Sequence, residues 1–156
     1  KPGVKLAPAG ITARQLIDEY CDGMLDGHVF NAYLPGGASG GILPANKGDL
    51  PLDFGTLDEY GCFIGSSAVV IFSDSDDIRA ICRNLLRFFE YESCGQCTPC
   101  RVGCEKMLKL IDEPNWNANL ISELSQTMRD ASICGLGQAA PNPVISALRF
   151  FEGSVT

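Results

Sequence analysis

The spacing of apolar positions changes partway along the chain, and the change divides it. In the first half they fall in short runs broken by Gly and Pro. A brief segment, Val4-Lys5-Leu6, precedes Thr12, which is placed to cap a helix over residues 13–21, where Leu16, Ile17 and Tyr20 recur at helical spacing. Asn31-Ala32-Tyr33-Leu34 reads as a strand ended by Pro35-Gly36-Gly37. A turn-rich stretch over 50–65 leads into residues 66–72, a β-branched run expected to form a buried strand. Helix and strands mixed on this scale predict a small α+β unit.

From Ser73 the period becomes helical. Asp74 or Ser75 is positioned as a cap, and Ile78, Cys82, Leu85 and Phe89 follow at steps of three and four, widened by Leu86 and Phe88. A second helix is expected over 102–111, stopped by Pro114. Leu120, Leu124 and Met128, with Ile121 beside them, mark a third. Asn142 as cap and Pro143 at the first helical position open a fourth, carrying Val144, Ile145, Leu148 and Phe151. Four helices in so short a span predict a compact four-helix bundle. The fold class is α+β, with a small mixed domain over 1–72 and a helical domain over 73–156.

Composition narrows the function classes. A chain of 156 residues holds one domain or two small ones. Its net charge of −7 and pI near 4.6 argue against nucleic acid or an anionic membrane as the main partner. The longest apolar stretch, Ala68-Val69-Val70-Ile71-Phe72, is far too short to span a bilayer, so no direct membrane insertion is expected. The chain opens Lys1-Pro2-Gly3 without an initiator Met, which reads as a processed protein or a piece of a longer polypeptide.

The chemistry lies in the thiols. Eight cysteines in a small secreted domain would suggest disulfides. Here three crowd into Cys94-Gly95-Gln96-Cys97-Thr98-Pro99-Cys100, while Cys21, Cys62 and Cys82 stand singly among apolar residues. That pattern fits a reducing, cytoplasmic compartment with one metal site and several buried free thiols. Gly95 and Pro99 suggest a turn that curls the three sulfurs around a point, suited to a [4Fe–4S] cluster or to zinc.

Both need a fourth ligand. Cys104 completes the Cys-x2-Cys-x2-Cys-x3-Cys spacing of two-cluster ferredoxins, but there is no second copy of that motif, and Glu105 replaces the usual Pro. On a helix one turn past Cys100, it reads better as a packed thiol. Cys134 lies within Ser132-Ile133-Cys134-Gly135-Leu136-Gly137, where glycines permit close backbone approach, and is the stronger candidate. Amides of Gly95 and Gly135, and the charge of Arg101, are candidate tuners of the cluster; Arg101 serves equally as a structural ion-pair partner. Structural zinc sites usually pair Cys-x2-Cys units or add histidine. The single histidine, His28, is remote in sequence and reads as an exposed or hydrogen-bonded residue, so iron–sulfur is favoured.

Other motifs carry less. Gly36-Gly37-Ala38-Ser39-Gly40-Gly41 lacks the Lys-Ser/Thr of a phosphate loop and reads as a flexible turn between strands. Phe88-Phe89 reads as core or subunit contact. No nucleophile–base arrangement stands out, so the segment is expected to relay electrons and to be non-catalytic alone.

With these residues in place, the chain resembles the flavin-bearing, NADH-oxidising subunit shared by respiratory complex I, NAD-linked hydrogenases and NAD-dependent formate dehydrogenases. The resemblance rests on Glu92-Ser93-Cys94-Gly95-Gln96-Cys97-Thr98-Pro99-Cys100-Arg101 and on Cys134-Gly135-Leu136-Gly137-Gln138-Ala139-Ala140-Pro141-Asn142-Pro143. Upstream, Pro35-Gly36-Gly37-Ala38-Ser39, Leu50-Pro51-Leu52-Asp53-Phe54 and Gly65-Ser66-Ser67-Ala68-Val69 are similar to that family's β-grasp (SLBB) segment.

The resemblance implies a β-grasp-like domain over 1–72 and a helical iron–sulfur domain over 73–156. It places the four cluster ligands at Cys94, Cys97, Cys100 and Cys134. It also implies an FMN- and NAD(H)-binding domain preceding this segment, and partners that include a thioredoxin-like 2Fe–2S subunit and a catalytic subunit. Cys100-Arg101-Val102-Gly103 and Gly135-Leu136-Gly137-Gln138 are nearer to the formate dehydrogenase and hydrogenase members than to complex I, and formate dehydrogenase is the expected parent. The rival class is a zinc-stabilised, non-redox interaction module.

Overall fold

The computed structural model describes residues 1–155; Thr156, the last residue of the expected helical domain, lies outside the described residues. The chain is a mixture of helices and one small sheet, and it divides into two compact units, Lys1–Asp76 and Asp77–Thr156.

The first unit begins with an extended segment, without regular structure at Val4-Lys5-Leu6. Thr12 then caps α1 (Ala13–Gln15) through a reciprocal box: Gln15 N–H donates to Thr12 Oγ1 (3.1 Å) and Thr12 N–H donates to Gln15 Oε1 (3.1 Å). The helix widens at once into a π-helical turn over Leu16–Tyr20. Three strands follow, β1 (Phe30–Leu34), β2 (Leu43–Pro44) and β3 (Val70–Ser73), in the antiparallel order β2-β1-β3. Tyr33 on the central strand is fully buried, and its hydroxyl donates to the Lys47 carbonyl at 2.9 Å.

The run at 66–72 is not one buried strand. Ser67 adopts φ +57 in a turn whose N–H reaches the Ile64 carbonyl (2.6 Å), so pairing starts only at Val70. β3 is an edge strand, and Val70 is 41% exposed. The glycine-rich turn between β1 and β2 is packed. A Cβ on Gly36 would lie 2.3 Å from the Ile64 carbonyl carbon, and one on Gly40 would lie 2.7 Å from the Phe63 oxygen. These glycines let two backbones touch.

The second unit contains α2 (Ile78–Glu92), α3 (Thr98–Asp112), α4 (Ala118–Ala131), α5 (Gly135–Ala139), α6 (Asn142–Phe150) and α7 (Glu152–Val155). It is therefore more than four helices, because the short α5 and α7 were not expected. The cap of α2 is Asp77, whose Oδ1 accepts from Arg79 N–H at 2.9 Å. Asp74 is taken by Val29 N–H (2.8 Å) and Ser75 by His28 Nδ1 (3.2 Å), which leaves neither free for the helix.

Helix α3 packs between α2 and α4 and also touches α5, while α6 packs on α2 and α4. The buried stripe of α4 is Ile121, Ser125 and Met128, one position round from the expected Leu120, which is 44% exposed. Asn142 is the first residue of α6 rather than its cap, a one-residue difference at a helix end. Phe89 is buried and Phe88 half-exposed, meeting edge to face at 5.3 Å.

Candidate metal centre

The thiol motif occupies the passage from α2 to α3. Ser93 ends α2 in extended conformation, and Gly95 follows at φ +77, a turn favourable to glycine. The Ser93 hydroxyl fastens this turn from two sides, accepting from Gly95 N–H (3.3 Å) and lying 3.3 Å from Cys100 Sγ. Arg101, one residue into the helix past Cys100, reaches back to donate to the Gly95 carbonyl. Its guanidinium thus clasps the loop and forms no ion pair among the described residues.

Pro99 in the first turn of α3 suits the fixed φ of that position. Cys97 sits at the cap position of α3, Cys100 is buried in its first turn, and Cys94 is exposed in the preceding loop. The amino end of a helix of this length carries partial positive charge, which favours thiolates there.

Cys134 arrives from the turn between α4 and α5, where it occupies the cap position of α5. The approach depends on Gly137. A Cβ built there would stand 2.7 Å from Cys100 Cβ and 2.5 Å from Ser132 Oγ, so only hydrogen fits between α5 and α3. Gly103 opens similar room further along α3, where α4 crosses with Met128 against it. Gln138 anchors the turn by donating to the Ser132 carbonyl at 3.1 Å.

Cys94, Cys97, Cys100 and Cys134 line one cavity of about 400 Å³, with Ile133 and Leu136 as its apolar wall. Cys104 is not on that wall. It is fully buried in α3, and burial pushes its thiol up to about 12. Cys82 is likewise buried and raised to about 12 by desolvation, and all the cysteines are free.

The Cys97 thiol moves the opposite way. Its pKa lies below the usual value, chiefly through the backbone N–H of Ile133, then that of Cys100, with the Ser132 hydroxyl adding to them. Ser132 Oγ is buried yet closes no hydrogen bond of ordinary geometry.

Four convergent thiols, amide donors aimed at one of them and a buried hydroxyl without a formed bond fit a cluster of iron and sulfide. They fit zinc poorly. A tetrahedral zinc needs its sulfurs about 2.3 Å from a single point. The thiols here ring a volume of about 400 Å³ instead.

The donors expected from sequence need correction. Gly95 N–H is spent on Ser93, and the amides that act on the Cys97 sulfur are those of Ile133 and Cys100. Ser93 and Ser132 were also not singled out, although each lies within two residues of a ligand candidate. In the first unit, His28 Nδ1 is within 3.1 Å of Ser73 Oγ, a hydrogen-bonded residue as its isolation suggested. Among the described residues, no helix is long and apolar enough to cross a membrane.

Comparison with known proteins gives consistent matches. Residues 80–156 match the NADH_4Fe-4S family, described as the NADH-ubiquinone oxidoreductase-F iron–sulfur binding region. Across 158 aligned residues the chain is 32% identical to an F-type NADH-quinone oxidoreductase subunit of Rhizobium meliloti, covering 97% of this chain and 38% of that protein. It is 33% identical to the NADP-reducing hydrogenase subunit HndC of Solidesulfovibrio fructosivorans, covering 96% and 32%. Among solved structures, an NAD+-reducing [NiFe]-hydrogenase in its H2-reduced state superposes with a TM-score of 0.80 at 29% identity, over 96% of this chain and 26% of that one. The chain thus spans well under half the length of each of these relatives.

Proposed function

We propose that this chain, whose residues 80–156 match the NADH-ubiquinone oxidoreductase-F iron–sulfur binding region, is the electron-relay segment of an NADH-linked oxidoreductase subunit. The observation that carries the proposal is the single cavity lined by Cys94, Cys97, Cys100 and Cys134. These residues would hold a [4Fe–4S] cluster as thiolates. Such a cluster, when bound, supplies one-electron transfer between a flavin and further iron–sulfur centres.

The protein's contribution is to bind and orient. The Ser93–Gly95–Arg101 clasp fixes the first loop, and Gly137 lets the second reach it. The Ile133 N–H and the amino end of α3 favour negative charge on sulfur. Ile133 and Leu136 present apolar surface to the cavity, which limits water there.

The parent subunit is proposed to carry FMN and NAD(H) on a preceding domain, and to work in the cytoplasm beside a thioredoxin-like 2Fe–2S subunit and a catalytic subunit. Residues 1–72 are proposed to be its β-grasp-like domain, and 73–156 the cluster domain. The relatives named above are of the quinone-reductase and hydrogenase kinds, which favours those two parents over the formate dehydrogenase suggested by short motifs. Elemental analysis of the purified protein tests the reading: iron and acid-labile sulfide in equal amounts support it, and zinc without sulfide rejects it in favour of a structural module.

A further inference from the structure

We infer that the large cleft of the first unit is a strand slot, filled in the parent polypeptide by the residues immediately before Lys1, which lie extended between residues 4–6 and β3. The inference rests on one part of the reading above, that this chain continues a preceding part of its subunit.

The slot is bounded by backbone that has no strand partner. Residues 1–5 and residues 67–71 line the same cleft, of about 1080 Å³. No backbone hydrogen bond joins these two stretches among the described residues. β3 pairs with β1 alone, so its other edge presents N–H and C=O groups that a further strand can take up.

The cleft is mostly apolar, and its apolar side chains lack cover. Val4 and Leu25 line it and are 103% and 78% exposed, and Leu6, on the same extended segment as Val4, is 96% exposed. Packed interiors hold few voids larger than a water, and contiguous exposed apolar surface marks the seat of another surface. A small polar ligand fits less well, because such a site needs free convergent polar groups. Here His28, Ser73, Ser75 and Asp76 are bonded among themselves, and Lys1 Nζ is paired with Asp22 at 2.8 Å. What the cleft offers instead is apolar side chains beside a strand edge, which suits an extended apolar segment.

The course of the chain identifies that segment. Lys1 is itself on the lining, its amino nitrogen donating to the Cys21 carbonyl at 2.6 Å. In a longer polypeptide this nitrogen is a peptide N–H and keeps the hydrogen that the bond needs. Residues joined to Lys1 therefore start at the cleft. The chain bends at Gly3, and Pro2-Gly3 is a turn signal, so the preceding residues run back beside residues 4–6. About five or six residues, a common strand length, suffice. The chain spans 38% and 26% of two relatives named above, which leaves ample polypeptide beyond it in a subunit of that kind.

The test uses the intact polypeptide that contains this chain, purified with its partner subunits. Met24 lines the cleft, whereas Met107 and Met128 are fully buried in the second unit. Growth on a diazirine analogue of methionine therefore places a photocrosslinker in the slot without any substitution. After irradiation and digestion, Met24 should be linked to a peptide ending just before Lys1. Amide exchange followed by mass spectrometry should show β3 protected to the same degree as the central strand β1. A Met24 link to a partner subunit, to a second copy or to solvent alone overturns the inference. So does β3 exchange about tenfold or more faster than β1, the behaviour of a free edge. A native polypeptide whose first residue is Lys1 overturns it outright. Absence of iron and sulfide from the same sample defeats the electron-relay function, while the crosslink and the exchange still decide the strand.

Discussion

Gly137 and Cys100 are in contact through an absence: a Cβ on the glycine would stand 2.7 Å from the cysteine's Cβ, inside the closest approach of real carbon atoms. This packs the two distant cysteine segments directly against each other. Gly137→Ala should force α5 away from α3, destabilising the second unit by about 1–3 kcal/mol and lowering its iron content. Thermal unfolding and iron analysis on one preparation check both effects. Gly103→Ala is the control. There the clash is with the flexible Met128 side chain, at 2.7 Å from its Cγ, so a smaller loss with iron retained is expected.

Arg79 closes the far end of α3. Its guanidinium donates to the carbonyls of Pro114 (2.8 Å), Val155 (3.2 Å), Ile111 (3.4 Å) and Glu113, and lies 5.4 Å from the Trp116 ring centre. These acceptors include carbonyls at the end of α3 that have no partner within the helix. Arg79→Lys keeps the charge but loses the fork, and should cost about 1–2 kcal/mol in denaturant midpoint while leaving the iron content unchanged.

Alkali should act through Cys82. Burial raises its pKa from 9.0 to about 12, so the folded state retains the proton when the unfolded state has released it. The resulting stability is complete below pH 9.0 and is lost as pH climbs toward about 12. Denaturant midpoints taken up that range should fall with a slope that Cys82→Ala reduces, whatever its effect on the neutral-pH baseline. An unaltered slope in the variant contradicts the assignment.

Much of this site was legible because its chemistry is local. Cys94, Cys97 and Cys100 share a short loop with a glycine and a proline that dictate its course, and Cys134 stood out by its flanking glycines. Cys104 could be set aside because no second copy of the motif accompanies it and Glu105 stands where Pro is usual, and it lies fully buried. What escaped depends on approach across distance. Ile133 contributes through its backbone, which has no residue-type signature, and Gly137 matters only through what it packs against. In the first unit, the apolar run at 66–72 suggested a buried strand because β-branched composition does not reveal which strand will be an edge. The caps of α2 and α6 were displaced because nearby polar side chains found partners on other elements.

The central claim is that Cys134 shares one cluster with the three cysteines of the first loop. Low-temperature EPR of the dithionite-reduced protein, with iron and sulfide assayed on the same samples, tests it most directly when Cys134→Ser is set beside Cys104→Ser. The account predicts a fast-relaxing cubane signal that survives Cys104→Ser and is lost or replaced in Cys134→Ser. An unchanged signal and iron content in Cys134→Ser, or their loss in Cys104→Ser alone, would contradict it.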